Sequence, residues 1–251
     1  MPIEWLTEFM DFPPATFGPA STYWQAVTGY QLSAPRGPAA EFATLLPGQG
    51  SAFVRLQRTG GGSPGCHLDV HTADVRALTG RALRLGAQPT DQDPVPGLAV
   101  LRSPGGIPFC LTNEPDFAER PRPQLWPAGQ RSLLDQVCID MPATAVASET
   151  AFWAGLTGWE LRDRPESEFA SLVRPAGMPL RLLLQRLGEP SGPCRAHPDL
   201  ACDDVPAEVR RHQALGGTVL RVTDGFTTLL DPAGLPYCVT SRDPGTGLRA
   251  G

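Results

Sequence analysis

The feature that most constrains this chain is that its sequence is written twice. Asp11 in Leu6–Pro13 (LTEFMDFP) matches Asp140 in Asp135–Pro142 (DQVCIDMP), 129 positions later. The run from Tyr23 (YWQAVTGYQL) matches the run from Phe152 (FWAGLTGWEL) at the same shift. Glu41-Phe42-Ala43-Thr44 matches Glu168-Phe169-Ala170-Ser171 at 127, and His67 falls over His197 at 130. Ser103–Cys110 (SPGGIPFC) matches Asp231–Cys238 (DPAGLPYC) at 128. Five blocks in one order at a nearly constant shift mark two copies of one domain. The halves are expected over 1–115 and 132–243, with a Pro/Gly-rich linker over 116–131 and a flexible tail over 244–251.

Within the first half, Glu4–Phe12 reads as a strand and Ser21–Thr28 as a short helix stopped by Gly29. Three strands follow near 30–34, 40–46 and 51–58, separated by Pro and Gly turns. The next strand, from Gly65, runs straight into a helix that Asp74 caps and whose apolar positions are Val75, Leu78, Ala82 and Leu85. Strands near 98–103 and 107–113 enclose the turn Pro104-Gly105-Gly106. Each half is thus a βαβββ unit followed by a second of the same kind, with the last strand of the second unclear. The expected fold class is α+β: two tandem domains, each of paired βαβββ modules forming a curved mixed sheet with its helices on one side.

Bulk properties narrow the function. Net charge is −5, no lysine occurs and no basic stripe is present, which argues against nucleic acid as a partner. Neither an 18-residue apolar run nor a basic-then-apolar leader occurs, so membrane partners are not expected and the location is read as cytoplasmic. None of the six cysteines forms a CxxC pair, consistent with reduced thiols. The motifs GxGxxG after a strand, GxxxxGK[ST], GxSxG and HExxH are all missing. Gly60-Gly61-Gly62 lies between strands rather than before a helix, so it reads as a loop and not a phosphate cradle.

What remains is the strand Cys66-His67-Leu68-Asp69-Val70-His71 and its copy Ala196-His197-Pro198-Asp199-Leu200. Strand side chains alternate, so His67, Asp69 and His71 share one face while Leu68 and Val70 take the other. His67 and His197 are the candidate catalytic groups, as general bases beside a carbonyl, with Asp69 and Asp199 on the same faces. Arg181 stands in the apolar run Pro179–Leu184 and could clamp a carboxylate or phosphate. Cys110 and Cys238 have neither a helix start nor a basic neighbour to lower their pKa, so as nucleophiles they are less favoured than as packing groups.

The paired βαβββ pattern, YWQAVTGYQL/FWAGLTGWEL, the HLDV…DV strand and the closing DPAGLPYCV resemble the vicinal oxygen chelate superfamily, which includes glyoxalase I, extradiol dioxygenases and bleomycin-resistance proteins. The resemblance covers nearly the whole chain apart from linker and tail. It implies a first metal ligand, His or Gln, at Thr7 and Gln136, a second at His67 and His197, and a Glu where Cys110 and Cys238 stand. With the Glu replaced in both halves, the expectation is a small-organic-ligand binder without the usual metal and without a cofactor. The ligand-contacting positions are then Thr7, Asp69, Cys110, Gln136, Arg181, Asp199 and Cys238. The alternative is a metal-dependent lyase, isomerase or extradiol-type dioxygenase holding Zn, Fe, Ni or Mn through Gln136, His197 and Cys238. A variant in the first half would use His67, His71 and Cys110, against which stands the position of His71 at a strand end, where it can simply be wet. The chain is expected to be a monomer or a homodimer.

Overall fold

The computed structural model describes residues 2–90, 95–114, 117, 119–164 and 166–249. The first module is β1 (Trp5–Phe12), α1 (Pro14–Thr28), β2 (Gln31–Leu32), β3 (Phe42–Leu46) and β4 (Val54–Arg58). The second is β5 (Gly65–His71), α2 (Val75–Arg84), β6 (Gln88–Pro89), β7 (Leu98–Arg102) and β8 (Pro108–Thr112). A short β9 (Gln124–Leu125) lies in the segment between the halves. The third module is β10 (Arg131–Met141), α3 (Val146–Thr157), β11 (Leu161–Arg162), β12 (Phe169–Leu172) and β13 (Arg181–Arg186). The fourth is β14 (Arg195–Cys202), α4 (Val205–Ala214), β15 (Thr218–Val222), β16 (Phe226–Leu230) and β17 (Pro236–Ser241). The fold is therefore α+β with four βαβββ modules, as the repeat demands. The strand missing from the sequence reading is not the last of its unit but β6, directly after α2, two residues long and ending in proline, too short to leave a periodic signal.

Hydrogen-bonded neighbours run β2-β3-β4-β1-β5-β8-β7-β6 in one sheet and β11-β12-β13-β10-β14-β17-β16-β15 in the other, with β9 paired to β10. Most pairs are antiparallel hairpins; β5–β8 and β14–β17 are parallel, with helix and hairpin between them. Both parallel pairs place the Asp of the His-x-Asp strand opposite the late Cys: Asp69 against Cys110 and Asp199 against Cys238.

Helix boundaries follow local chemistry. Asp74 and Asp204 each accept a hydrogen bond from the amide three residues on, Ala77 and Ala207, at 2.9 Å. Gly29 and Gly158 end α1 and α3 in the left-handed region, φ 71° and 68°. Helix α1 starts at Pro14, seven residues before the sequence reading places it. Proline at the first helical position costs nothing because its missing N–H would be unpaired anyway. Pro19 inside α1 is exposed, so the carbonyl it leaves unpaired can turn to water.

The residues gather into two compact units, each drawing modules from both halves of the sequence. The first contains Met1–Glu8, Cys66–Phe117 and Val137–Ala196; the second contains Phe9–Gly65, Ala118–Gln136 and His197–Gly251. In the first unit Phe109 packs 5.5 Å from Phe152 and 5.6 Å from Trp153, ring centre to ring centre, and Leu78 and Ala82 of α2 are also buried. Burial of each such large side chain contributes roughly 1.5–3 kcal/mol. The second unit holds Tyr23, Trp24 and Tyr237, which also stack edge to face. Here hydroxyls thread the core: Tyr23 and Tyr237 share a hydrogen bond, and the Tyr237 hydroxyl lies 3.0 Å from His212 Nδ1. His212 Nε2 lies 3.2 Å from Glu208 Oε1, which also accepts from Ser132 Oγ at 2.6 Å and from Arg211.

Candidate functional site

The second half's candidate residues lie on the side of β14 and β17 opposite Tyr237 and Val239. Strand alternation puts His197 and Asp199 on one face of β14, and the parallel register brings Cys238 alongside Asp199. His197 Nε2 lies 3.3 Å from Asp199 Oδ1 and 3.6 Å from Cys238 Sγ. Gln136, from β10, donates through Nε2 to Asp199 Oδ2 at 2.6 Å. Exposures are 7% for His197, 2% for Asp199, 6% for Cys238 and 2% for Gln136, so the cluster is nearly closed to water. Burial, reinforced by the neighbouring Asp199 carboxylate, pushes the Cys238 thiol above its ordinary pKa.

The first half repeats this. His67, Asp69 and Cys110 place one donor atom each within 4.8 Å of one another, with His67 Nε2 3.9 Å from Asp69 Oδ1. The His67 and Asp69 side chains are each 11% exposed and Cys110 is half-buried, so this cluster is the more open one. Its first-strand position differs. Thr7 Oγ1 bonds His71 Nε2 at 2.9 Å instead of reaching the Asp, and His71 is fully buried beneath Phe117, ring centres 4.6 Å apart. His71 is therefore not wet, as the objection to the first-half variant had it, yet it does not join the His67 and Cys110 donors either. Its ring is held by Thr7 and covered by an aromatic ring, and the third donor in the first half is Asp69.

A second correction concerns charge. The sequence reading leaves both hollows without an acidic metal partner because no Glu stands at Cys110 or Cys238. The pairing of β14 with β17 and of β5 with β8 supplies one, since Asp199 and Asp69 take up the position next to those cysteines. Gln136, whose amide oxygen is the ligand that the resemblance implies, donates its amide N–H to Asp199 Oδ2, while Asp199 Oδ1 lies toward His197. Arg181 is the first residue of β13, half-buried and on the same strand face as Gln185.

The donor set can be tested against a metal. At tetrahedral angles, bonds of about 2.0 Å to N or O and about 2.3 Å to S put N and O about 3.3 Å apart and N and S about 3.5 Å apart. The second-half separations, 3.3 and 3.6 Å, fall on those values. One imidazole, one carboxylate and one thiolate suit zinc-like ions and also neutralise a divalent charge in a buried place. They differ from the two-histidine, one-carboxylate triad of non-haem iron oxygenases and from the oxygen shells of hard ions. The residues present fit a tetrahedral ion of borderline softness.

A glyoxalase-like domain family matches residues 10–112 and again 136–240. No curated protein sequence matches the chain. Among solved structures, a mutant of 4-hydroxymandelate synthase from Streptomyces coelicolor aligns at TM-score 0.62 and 18% identity over 100% of this chain and 95% of its own. A Mn(II)-bound glyoxalase from Novosphingobium aromaticivorans aligns at 0.62 and 15% identity, covering 99% and 84%. The 2,2',3-trihydroxybiphenyl 1,2-dioxygenase of Sphingomonas wittichii RW1 aligns at 0.62 and 16%, covering 95% and 90%. At such identities the likeness is one of fold.

Proposed function

Because the chain belongs to the glyoxalase-like domain family, in two tandem copies, we propose that its second-half cup binds a divalent, zinc-like ion and, through it, a small oxygen-bearing organic molecule. The observation that carries this reading is that His197 Nε2 lies 3.3 Å from Asp199 Oδ1 and 3.6 Å from Cys238 Sγ, with all three donors within 4.8 Å of one another. Three protein donors leave a fourth position for a ligand oxygen. Such an ion would supply Lewis acidity to that oxygen. The chain's own residues do the rest: Gln136 holds the Asp199 carboxylate in place, and near-complete burial excludes competing water. The glyoxalase and dioxygenase neighbours act on small molecules by their names, which supports the ligand class.

A competing reading keeps the cup free of metal. The Gln136–Asp199 bond and the raised Cys238 thiol favour it, because the three groups are already partnered as neutral thiol, imidazole and carboxylate. His197, beside Asp199, would then act as the base toward a bound carbonyl compound. Elemental analysis of the purified protein and of Cys238→Ser and Asp199→Asn separates the two. The metal reading expects a stoichiometric ion in the wild type, lost with at least tenfold weaker retention in both variants. Metal-free protein that fails to take up zinc on reconstitution would rule it out in favour of the metal-free cup.

A further inference from the structure

We infer that the first unit contains an aromatic slot, floored by Trp5 and His71, which the chain fills with its own Phe117 and which takes a small, neutral, planar aromatic molecule bearing a hydrogen-bond acceptor in place of that ring. The slot needs no metal and lies wholly in the first unit, so the inference goes beyond the second-half reading and does not depend on it. Trp5 and Thr7 stand two apart on β1 and share a face. The bond from the Glu4 amide to the His71 carbonyl, 2.9 Å, sets them beside the end of β5. Phe117 lies flat on Trp5, ring centres 4.9 Å apart and planes 6° from parallel, and it meets His71 edge to face. The two rings beneath are buried, whereas Phe117 is half-buried and belongs to no helix or strand.

Two observations separate this arrangement from ordinary core packing. The first is the repeat. At the shifts of 129 and 130 that relate the halves, Trp5 falls on Leu134 and His71 on Ala201, both buried, so the fold closes the same place without aromatic rings. The second is the Trp5 indole N–H, which is buried and has no acceptor among the described residues. A buried tryptophan ordinarily finds a partner for that group, and leaving it unpaired is costly. The phenyl ring of Phe117 has no lone pair to give it, whereas an aromatic ring carrying a carbonyl does. Glu114 sets the charge of the ligand. Its carboxylate is 43% exposed and 4.0 Å from His71 Nδ1, so an aryl carboxylate would bring a second negative group to the same place, and a neutral acceptor such as a ketone is favoured. Phe117 competes with any such ligand, which lowers the apparent affinity by the fraction of molecules in which the slot is filled.

Titration of the isotope-labelled full-length protein with acetophenone, ethylbenzene and benzoate tests the slot by nuclear magnetic resonance. The Trp5 indole signal, assigned by its loss in Trp5→Phe, reports on the site, and ligand-observed titration supplies the affinities. Acetophenone should move the Trp5 indole proton downfield as the N–H gains an acceptor. Ethylbenzene, of similar shape without the oxygen, should bind about tenfold more weakly, and benzoate should also bind more weakly than the ketone. Phe117→Ala should tighten acetophenone binding by about tenfold, and the milder Phe117→Leu by less. Trp5→Phe keeps a stacking face but should abolish the preference for the ketone over the hydrocarbon. Acetophenone that leaves the Trp5 signal unmoved overturns the slot, as does equal affinity for ketone and hydrocarbon in the wild type, a comparison that needs no variant. A Phe117 variant that is folded by circular dichroism yet binds no better than the wild type overturns it too. Binding that neither Trp5→Phe nor Phe117→Ala alters, but that Cys238→Ser abolishes, places the ligand in the second-half cup and leaves only that reading standing. A full Trp5 response in protein that neither holds nor takes up an ion keeps the slot and defeats the second-half reading alone.

Discussion

In the first unit, the helices meet the sheet through Phe152, Trp153, Phe109, Leu78 and Ala82, all apolar and buried. In the second unit the residues at the same repeat positions are Tyr23, Trp24, Tyr237, Glu208 and His212. Four of the five have changed from apolar to polar, and they changed together. With His212 neutral, Nε2 donates to Glu208 and Nδ1 accepts from Tyr237, whose oxygen accepts in turn from Tyr23. Burial lowers the His212 pKa, which keeps it neutral. Burial alone would raise Glu208, but hydrogen bonds from His212, Arg211 and Ser132 outweigh it and hold the carboxylate well below its usual range. Arg211 caps the chain, its guanidinium lying 3.5 Å above the Trp126 ring and donating to the carbonyls of Ala26 and Val27. The same backbone thus accepts either an apolar or a polar interior, provided that the polar one is complete.

Completeness can be broken at its centre. Glu208→Ala strips the acceptor from His212, Arg211, Ser132 and Gln130 at once. Leaving such a buried network unpaired should cost about 3–5 kcal/mol. Chemical denaturation measures it. A loss under about 1 kcal/mol would mean that the polar core is no more than tolerated decoration.

A finer contrast concerns one buried carboxylate that has moved between the units. In the first unit, Glu149 on α3 accepts from Trp153 Nε1 at 2.8 Å and from the Gly105 amide at 2.7 Å, while Ser103 Oγ takes the Ile107 amide. In the second unit, Ala20 stands at the Glu149 position and Asp231 at the Ser103 position. Asp231 alone serves Trp24 Nε1 at 2.8 Å and the amides of Ala233 and Leu235. Asp231→Ser should therefore strand two donors, the Trp24 indole and the Ala233 amide, at about 1–3 kcal/mol. Adding Ala20→Glu should restore little, since a Cβ built at Gly105 would sit 2.7 Å from Glu149 Oε2, and Ala233 already carries one. The triple change with Ala233→Gly recreates the first unit's arrangement and should recover most of the loss in a thermal or denaturant melt. Equal recovery by the double and triple variants would show that the crowding is unimportant.

Much of this was legible in the sequence, and the limits have physical causes. The constant shift disclosed four modules, and the Asp74 cap and the stop at Gly29 stand where their side chain and dihedrals require. The onset of α1 was hidden because Pro14 and Pro19 look like breakers, although the first is harmless at a helix start. His197, Asp199 and Cys238 were each legible as candidates, but their meeting was not. Asp199 and Cys238 are 39 positions apart, and only the parallel register decides which residue faces the thiol. The second unit's hydroxyl chain had a signal of another kind. Tyr for Phe twice, His for Ala and Glu for Leu, read across the aligned copies, is a set of substitutions that makes sense only if the four side chains touch.

The smallest expected effect uses the same contrast to address one unit by pH. All three tyrosines of the chain, Tyr23, Tyr30 and Tyr237, belong to the second unit, and burial raises each above the ordinary value of 10. Tyr23 is pushed up to about 12. An unfolded tyrosine ionises near 10, so the folded state binds the proton more tightly. The resulting contribution is intact below pH 10 and is lost as pH rises from 10 toward 12. At pH 10 the loss from Tyr23 is only about 0.4 kcal/mol, deepening above that. Tyrosinate absorbance should stay silent in the native protein past pH 10 and then appear together with unfolding of the second unit. Hydrogen exchange should find the first unit, which has no tyrosine, still protected at that point relative to the same pH in the second. Tyrosinate appearing near pH 10 in a protein that remains folded would mean that the hydroxyl chain is open to water, and the contrast between a polar and an apolar interior would then reduce to one between a wet and a dry one.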